Sequence, residues 1–407
     1  MAAVFCNLNL PFEISDLQLQ FRNNRTNPTN VGSGLLRRTS YCSSPETFHK
    51  TRVTWLGLKH PRPQWRTLFK SNSDVVNVEA MEDEISMPTL IWRAVKLPIY
   101  SVALVPLTVG SAAAFWQTGL FSAGQFILLL ASSIFVIAWL NLSNDVYDFD
   151  TGADKYKKES VVNIVGSRTG TLVAAYILLV LGLLGISWAS LRAENLRAIL
   201  LLASAITCGY IYQCPPFRLS YHGLGEPLCF AAFGPFATTA FYLLQGRYFL
   251  LYLHYAKISF HYTHCFNYSQ PPITGTLLSA SVLVGLTTTL ILFCSHFHQV
   301  KDDKAVGKMS PLVRLGTTAG SDVISVAVLI LYSFLFIAGL SGNLPLTSVI
   351  LCEVTIPIGR FIVSYVKANH KDNKKIFMSK YFCVRLHAAF GAALAAGLVA
   401  ARLLARV

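Results

Sequence analysis

Four aspartates fall within ten residues of this chain, Asp145, Asp148, Asp150 and Asp154, with Asn141 and Asn144 ahead of them and Lys155 directly behind. Asn141, Asp145 and Asp148 are spaced i, i+4, i+7. At about 100° per residue these three fall within roughly 60° of arc and share one helix face. Asp150, nine residues after Asn141, points to the opposite side. Carboxylates held this close repel one another and resist ionisation together. A divalent cation removes that cost, and Mg²⁺ favours carboxylate and water oxygens combined with the phosphates of a substrate. A solvated helix end carrying surface carboxylates is the plainer alternative. The spacing lacks the pattern and closing Glu of a Ca²⁺-binding EF-hand loop.

A second cluster lies at residues 295–316, Ser-His-Phe-His-Gln-Val-Lys-Asp-Asp-Lys-Ala-Val-Gly-Lys-Met-Ser-Pro-Leu-Val-Arg-Leu-Gly. It holds Asp302 and Asp303 among Lys301, Lys304, Lys308 and Arg314. His296 and His298 either face a ligand or bond to backbone at an interface. Two acidic sites flanked by cations fit a diphosphate bridging two Mg²⁺ ions, with Lys and Arg on its outer oxygens.

Both clusters need rigid elements to bring them together. The hydrophobic fraction is 53% and the charged fraction 13%, against about 25% charged in an ordinary globular domain. The apolar residues form blocks of about 20, the length that crosses a bilayer as a helix. Nine such blocks are predicted at 96–116, 123–143, 170–190, 196–213, 223–245, 274–296, 322–341, 346–366 and 386–406. The expected class is therefore an all-α, polytopic protein in a lipid bilayer. With nine spans, the loops after the second, fourth, sixth and eighth share one side, and Lys/Arg residues divide fifteen to four in favour of that side. This is the asymmetry of the positive-inside rule. The net charge of +14 comes from those loops and from the N-terminal segment, so nucleic acid is not expected as a partner.

Residues 1–70 carry ten Lys/Arg against Glu13, Asp16 and Glu46 and have no long apolar run. They read as an organelle transit peptide, with a retained basic arm as the alternative. Residues 71–90 read as an acidic linker and 91–407 as the membrane domain. Residues 247–271 are rich in Tyr, His and Phe and fit neither a span nor a polar loop. They are either an interfacial loop or a gene-model insertion. The nine cysteines form no C-x-x-C pair and read mostly as small core residues.

These residues resemble the UbiA-type family of intramembrane aromatic prenyltransferases, over about residues 90–406. The family has nine transmembrane helices in one bundle and two aspartate-rich motifs, after the second and sixth helices, that bind prenyl diphosphate through Mg²⁺. The closer resemblance is to the branch acting on dihydroxynaphthoate. It is carried by Asn144, Asp145, Asp148 and Asp154, by Gly223 to Glu226, and by Asp303, Gly307-Lys308 and Val313 to Gly316. The Ser-Asn-Asp-Val-Tyr-Asp-Phe-Asp stretch and the His-Phe-His-Gln version of the second motif look like the chloroplast members. The resemblance implies Mg²⁺-dependent transfer of a phytyl group from phytyl diphosphate, or another prenyl diphosphate, to 1,4-dihydroxy-2-naphthoate on the way to phylloquinone. It implies a chloroplast membrane, inner envelope or thylakoid.

It also implies roles. Asp145, Asp148 and Asp303 are expected to be catalytic and to bind metal, joined by Asp154 and Asp302. Asn141, Asn144, Lys155, Arg168, Lys308 and Arg314 are expected on the substrate, and Arg93 at the acceptor's carboxylate. One departure matters: Gln299 stands where the family's second motif has its first Asp, so the second metal has fewer carboxylates, or Asp302 substitutes. Another aromatic acceptor such as homogentisate is the nearest rival. A cation transporter using Glu353 and Arg360 is a rival of another class, but transporters place their ligands near the midplane and these acids fall at span ends.

Overall fold

The computed structural model describes residues 96–153, 160–245 and 272–405. These belong to one compact unit, Glu79–Val407. Within them, eight helices are long and apolar enough to cross a membrane, and a bent pair supplies a ninth. They are α1 (Pro98–Thr118), α2 (Ala123–Thr151), α3 (Arg168–Ala193), α4 (Leu196–Gln213), α5 (Gly225–Gln245), α6 (Gly275–Ala305), α7 (Pro311–Leu340), α8 (Leu346–Glu353 with Ile356–Asn369, bent by 40°) and α9 (Asn373–Leu404). The transit segment, the linker, Arg93, Asp154, Lys155 and residues 247–271 lie outside the described residues.

The helix ends follow local chemistry. Ser122, Ser167, Asn195, Thr274 and Ser310 each accept a backbone N–H of the first turn that follows, which satisfies donors a helix start leaves open. Four spans run beyond the sequence expectation: α6 continues to Ala305 rather than 296 and α9 starts at Asn373 rather than 386, and α2 and α7 are extended as well. α2 runs to Thr151 rather than stopping near 143, so Asp145 and Asp148 belong to the helix itself. The hydropathy falls there, but the helical period does not. α7 starts at Pro311 rather than 322, because Ser310 caps it and Pro311 suits a first-turn position. Gly316 breaks α7 in its second turn with φ 80° and ψ 163°, a conformation only glycine adopts without strain.

α2 packs chiefly on α3, and α9 on α1, α6 and α8. α6 is the most enclosed span, while α3, α4 and α7 are the most open. Leu181, Leu184 and Trp188 on α3, and Leu329, Ile337 and Leu340 on α7, are exposed. Such a continuous apolar surface fits lipid rather than water. α5 and α6 approach closely at small residues. A Cβ on Gly234 would stand 2.7 Å from the Ser281 carbonyl oxygen, and one on Gly285 would stand 2.8 Å from the Phe230 ring. Close backbone approach through small residues is how membrane helices gain van der Waals contact. Beside this contact α5 widens into a π-helical stretch, Ala232–Thr238, around Pro235.

Candidate active site

A cavity of about 320 Å³ opens among α1, α2, α3, α4, α5, α6 and α9. Most of its wall is apolar, with Pro106, Ile137, Ile186, Ala205, Ile206 and Phe241 among the lining. One end is polar, and it sits where the charged loops meet. Lys96 precedes α1, Asn141, Asn144 and Asp148 lie near the end of α2, and His296, His298 and Gln299 lie late in α6. Lys308 precedes α7, and Lys380 lies near the start of α9. Alternating ends of successive helices thus meet at one end of the bundle, as an up-and-down membrane topology requires.

The first motif is held from several directions. Asp145 is fully buried. It accepts Lys96 Nζ at 2.7 Å and the Val161 amide at 3.1 Å. Asp148 accepts Asn144 Nδ2 at 2.9 Å on one oxygen and the Tyr221 hydroxyl at 3.2 Å on the other. Tyr221 also meets the Thr151 hydroxyl at 2.8 Å. Burial, and then the charge of Asp148, push the Tyr221 phenol well above its usual range. It therefore stays protonated and donates to the carboxylate.

The second motif presents a single buried carboxylate. Asp303 is 2% exposed, and Lys308, 5% exposed, stands 3.4 Å from its Oδ1. Lys308 also lies 5.6 Å above the Tyr221 ring, so one tyrosine touches both motifs. Asp303 Oδ2 is buried without a hydrogen-bond partner among the described residues. Nearby, His296 Nδ1 and Glu226 Oε1 are 3.1 Å apart, both residues are buried, and Glu226 Oε2 has no hydrogen-bond partner among the described residues. Glu226 ends the Gly-Leu-Gly-Glu sequence.

Not every expected residue joins this site. Asp302 is exposed, so it does not take the place left by Gln299: one residue along a helix turns a side chain by about 100°. Arg168 grips Asp150 with two hydrogen bonds, at 3.0 and 2.7 Å, on exposed surface, and does not line the cavity. Arg314 donates to the carbonyls of Met309 and His222, at 3.1 and 2.9 Å, and so ties two loops together rather than facing the cavity. Asn141, Asn144, Asp148 and Lys308 line the cavity, and Asp145 and Asp303 stand directly behind the lysines. Glu353 and Arg360 are exposed on α8, away from it.

Sequence reasoning misses Lys96, Tyr221 and Lys380. Each lies outside an acidic motif, and nothing in its neighbours' spacing marks it. Among the described residues, no three His, Cys, Asp or Glu side chains converge as a complete metal cage. An ion held by one or two carboxylates and completed by phosphate and water is the arrangement Mg²⁺ prefers. The buried, unpartnered Asp303 oxygen and the second lone pairs of the Asp148 oxygens fit such an ion.

A family model described as the UbiA prenyltransferase family matches residues 103–386. An Arabidopsis thaliana protein named 2-carboxy-1,4-naphthoquinone phytyltransferase, chloroplastic, is 62% identical over 338 residues, covering 83% of this chain and 84% of that protein. A Synechocystis sp. protein named 2-carboxy-1,4-naphthoquinone phytyltransferase is 40% identical over 308 residues, covering 75% of this chain and 92% of that protein. Among solved structures, a UbiA homologue from Archaeoglobus fulgidus superposes with a TM-score of 0.50 at 18% identity, over 75% of this chain and 99% of that one.

Proposed function

Since the chain belongs to the UbiA prenyltransferase family, we propose that it transfers a phytyl group from phytyl diphosphate to 1,4-dihydroxy-2-naphthoate in phylloquinone synthesis, in a chloroplast membrane. The observation that carries this is the cavity's polarity. Lysines and both acidic motifs gather at one end, and a long apolar wall leads away into the bundle. On α2 alone the lining runs from Ser133 to Asp148, about 22 Å of helix at 1.5 Å per residue. That suits a donor with an anionic head and a long hydrocarbon tail. The names of the Arabidopsis and Synechocystis relatives support the phytyl donor and the naphthoquinone-type acceptor.

The residues divide the work by charge. Asp148 and Asp303, with Asp145 behind Lys96, are the carboxylates that would hold Mg²⁺. When bound, the metal supplies positive charge to the departing diphosphate. Asn144 and Tyr221 fix the Asp148 carboxylate in place. Lys308 and Lys96 lie within reach of the same end and stabilise negative charge as the carbon–oxygen bond breaks, a preorganised electrostatic contribution. The apolar wall keeps water from the allylic cation until the electron-rich ring attacks it. Both the thylakoid and the inner envelope accommodate a multi-pass helical bundle.

The test is direct. Membranes containing the protein are incubated with the naphthoate, Mg²⁺ and a panel of prenyl diphosphates, and products are identified by mass. Phytylated, decarboxylated naphthoquinol is the expected product. Prenylation of homogentisate alone would overturn the acceptor assignment.

A further inference from the structure

Two buried groups of the polar end have no part in holding the diphosphate. Glu226 lies in the first turn of α5, and its Oε1 stands 3.1 Å from Nδ1 of His296 on α6. Glu226 is 8% exposed and His296 3%. Glu226 Oε2 is buried without a hydrogen-bond partner among the described residues. A buried carboxylate with an unsatisfied oxygen is costly, and apolar residues of similar size often pack as well or better in such a place. His296 lines the cavity and Glu226 does not, so the carboxylate stands behind the imidazole as seen from the cavity.

Depth separates this pair from the metal end. His296 precedes Asp303 by seven residues on α6, and Asn141 precedes Asp148 by seven on α2. His296 and Asn141 both line the cavity. Seven residues of helix span about 10 Å. His296 thus sits further along the cavity than the motif carboxylates, toward the apolar wall that takes the tail. The donor's first carbon lies between its diphosphate and its tail, so the attacking ring meets it at this level.

The chemistry at that level needs a base. Attack from the ring carbon that carries the carboxylate forms a carbon–carbon bond as the donor's carbon–oxygen bond breaks, its electron pair leaving with the diphosphate. The neighbouring hydroxyl becomes a carbonyl and sheds its proton. Loss of CO₂ then returns an electron pair to the ring, the carbonyl oxygen becomes an oxyanion, and that oxygen takes a proton back. One imidazole serves both steps. With Nδ1 donating to Glu226, Nε2 keeps the lone pair that accepts the proton. The carboxylate behind the ring stabilises the imidazolium until the proton returns. No proton is gained or lost overall, so the site needs no exchange with water.

We infer that His296 is the catalytic residue that takes the proton of the acceptor's hydroxyl and later returns it, and that Glu226 is its positioning residue. This rests on the proposed naphthoate prenylation and names the group that moves its proton.

The test separates proton transfer from ionisation of the donor. Full-length protein in nanodiscs receives phytyl diphosphate isotopically labelled at its bridging oxygen, without acceptor. Ionisation and return scramble the label among the diphosphate oxygens. Transfer to 1,4-dihydroxy-2-naphthoate is followed in parallel by product mass. His296→Gln should lower transfer by about 10²-fold or more, the usual contribution of a general acid–base group, in kcat rather than KM, while label scrambling continues. Glu226→Gln should lower transfer by about tenfold, the scale of one hydrogen bond to a charged group, again with scrambling retained. This arm stands even if the histidine variants fail to fold. Imidazole added to His296→Ala should restore part of the lost transfer, a rescue that a merely structural ring would not give. Unchanged transfer in either variant, or loss of transfer and scrambling together without rescue by imidazole, would overturn the assignment. Wild-type protein that scrambles the donor but never prenylates the naphthoate would sink the proposed reaction and this inference with it. Prenylation by wild-type protein and by the His296 variants alike would sink the inference alone.

Discussion

Tyr221→Phe removes one hydroxyl and nothing else of size. The ring stays beneath Lys308, 5.6 Å away. Two hydrogen bonds go: the one to Asp148 Oδ1 at 3.2 Å and the one shared with Thr151 at 2.8 Å. Thr151 keeps its bond to the Asp148 carbonyl at 3.1 Å, and Asp148 keeps Asn144 at 2.9 Å. The loss therefore falls on the orientation of one carboxylate oxygen. A hydrogen bond to a charged group contributes about 1.5–3 kcal/mol. The length of this one puts it at the lower end, or about tenfold in rate at about 1.4 kcal/mol per decade. Phytyl transfer is followed by product mass across a Mg²⁺ titration, with thermal unfolding measured in parallel. The expected result is turnover lowered about tenfold and a higher Mg²⁺ requirement, at an unfolding temperature close to wild type. A variant with unchanged turnover and unchanged Mg²⁺ requirement would refute the claim that Asp148 works at the metal end under the control of Tyr221.

Other outcomes follow from the same geometry. Asp303→Asn should cut turnover by about 10²-fold, as loss of other preorganised charge does, while exposed Asp302→Asn should leave diphosphate release nearly unchanged. Lys96→Met takes from buried Asp145 the cation that stands 2.7 Å away. It should raise the KM for phytyl diphosphate and lower stability by roughly 2 kcal/mol, after discounting for the partial exposure of Lys96, as read by thermal unfolding. Arg168→Ala, which breaks an exposed pair with Asp150, should cost no more than about 1 kcal/mol and spare activity. Chelation with EDTA should abolish phytyl transfer, and Mg²⁺ should restore it.

What the sequence determined by itself is local and periodic. Blocks of apolar residues long enough to cross a bilayer have few alternatives to a helix, because backbone groups in hydrocarbon must be satisfied within the segment. Most spans therefore lie close to where hydropathy puts them. The 3.6-residue period also set which acids share a face: Asp145 and Asp148 turn inward, and Asp150 turns out to Arg168. The same period sets adjacent Asp302 and Asp303 about 100° apart, but packing decided that Asp303 is the buried one. Tertiary packing alone decided the partners. Lys96 reaches Asp145 across 49 residues, Glu226 reaches His296 across 70, and Tyr221 reaches Asp148 across 73. No spacing encodes such meetings, since they depend on which helix ends come together and at what depth. The sequence motifs offered Arg168 and Arg314 as plausible cations for the diphosphate. Packing gave one to an outward carboxylate and the other to two loop carbonyls, and left the cavity end to Lys96, Lys308 and Lys380.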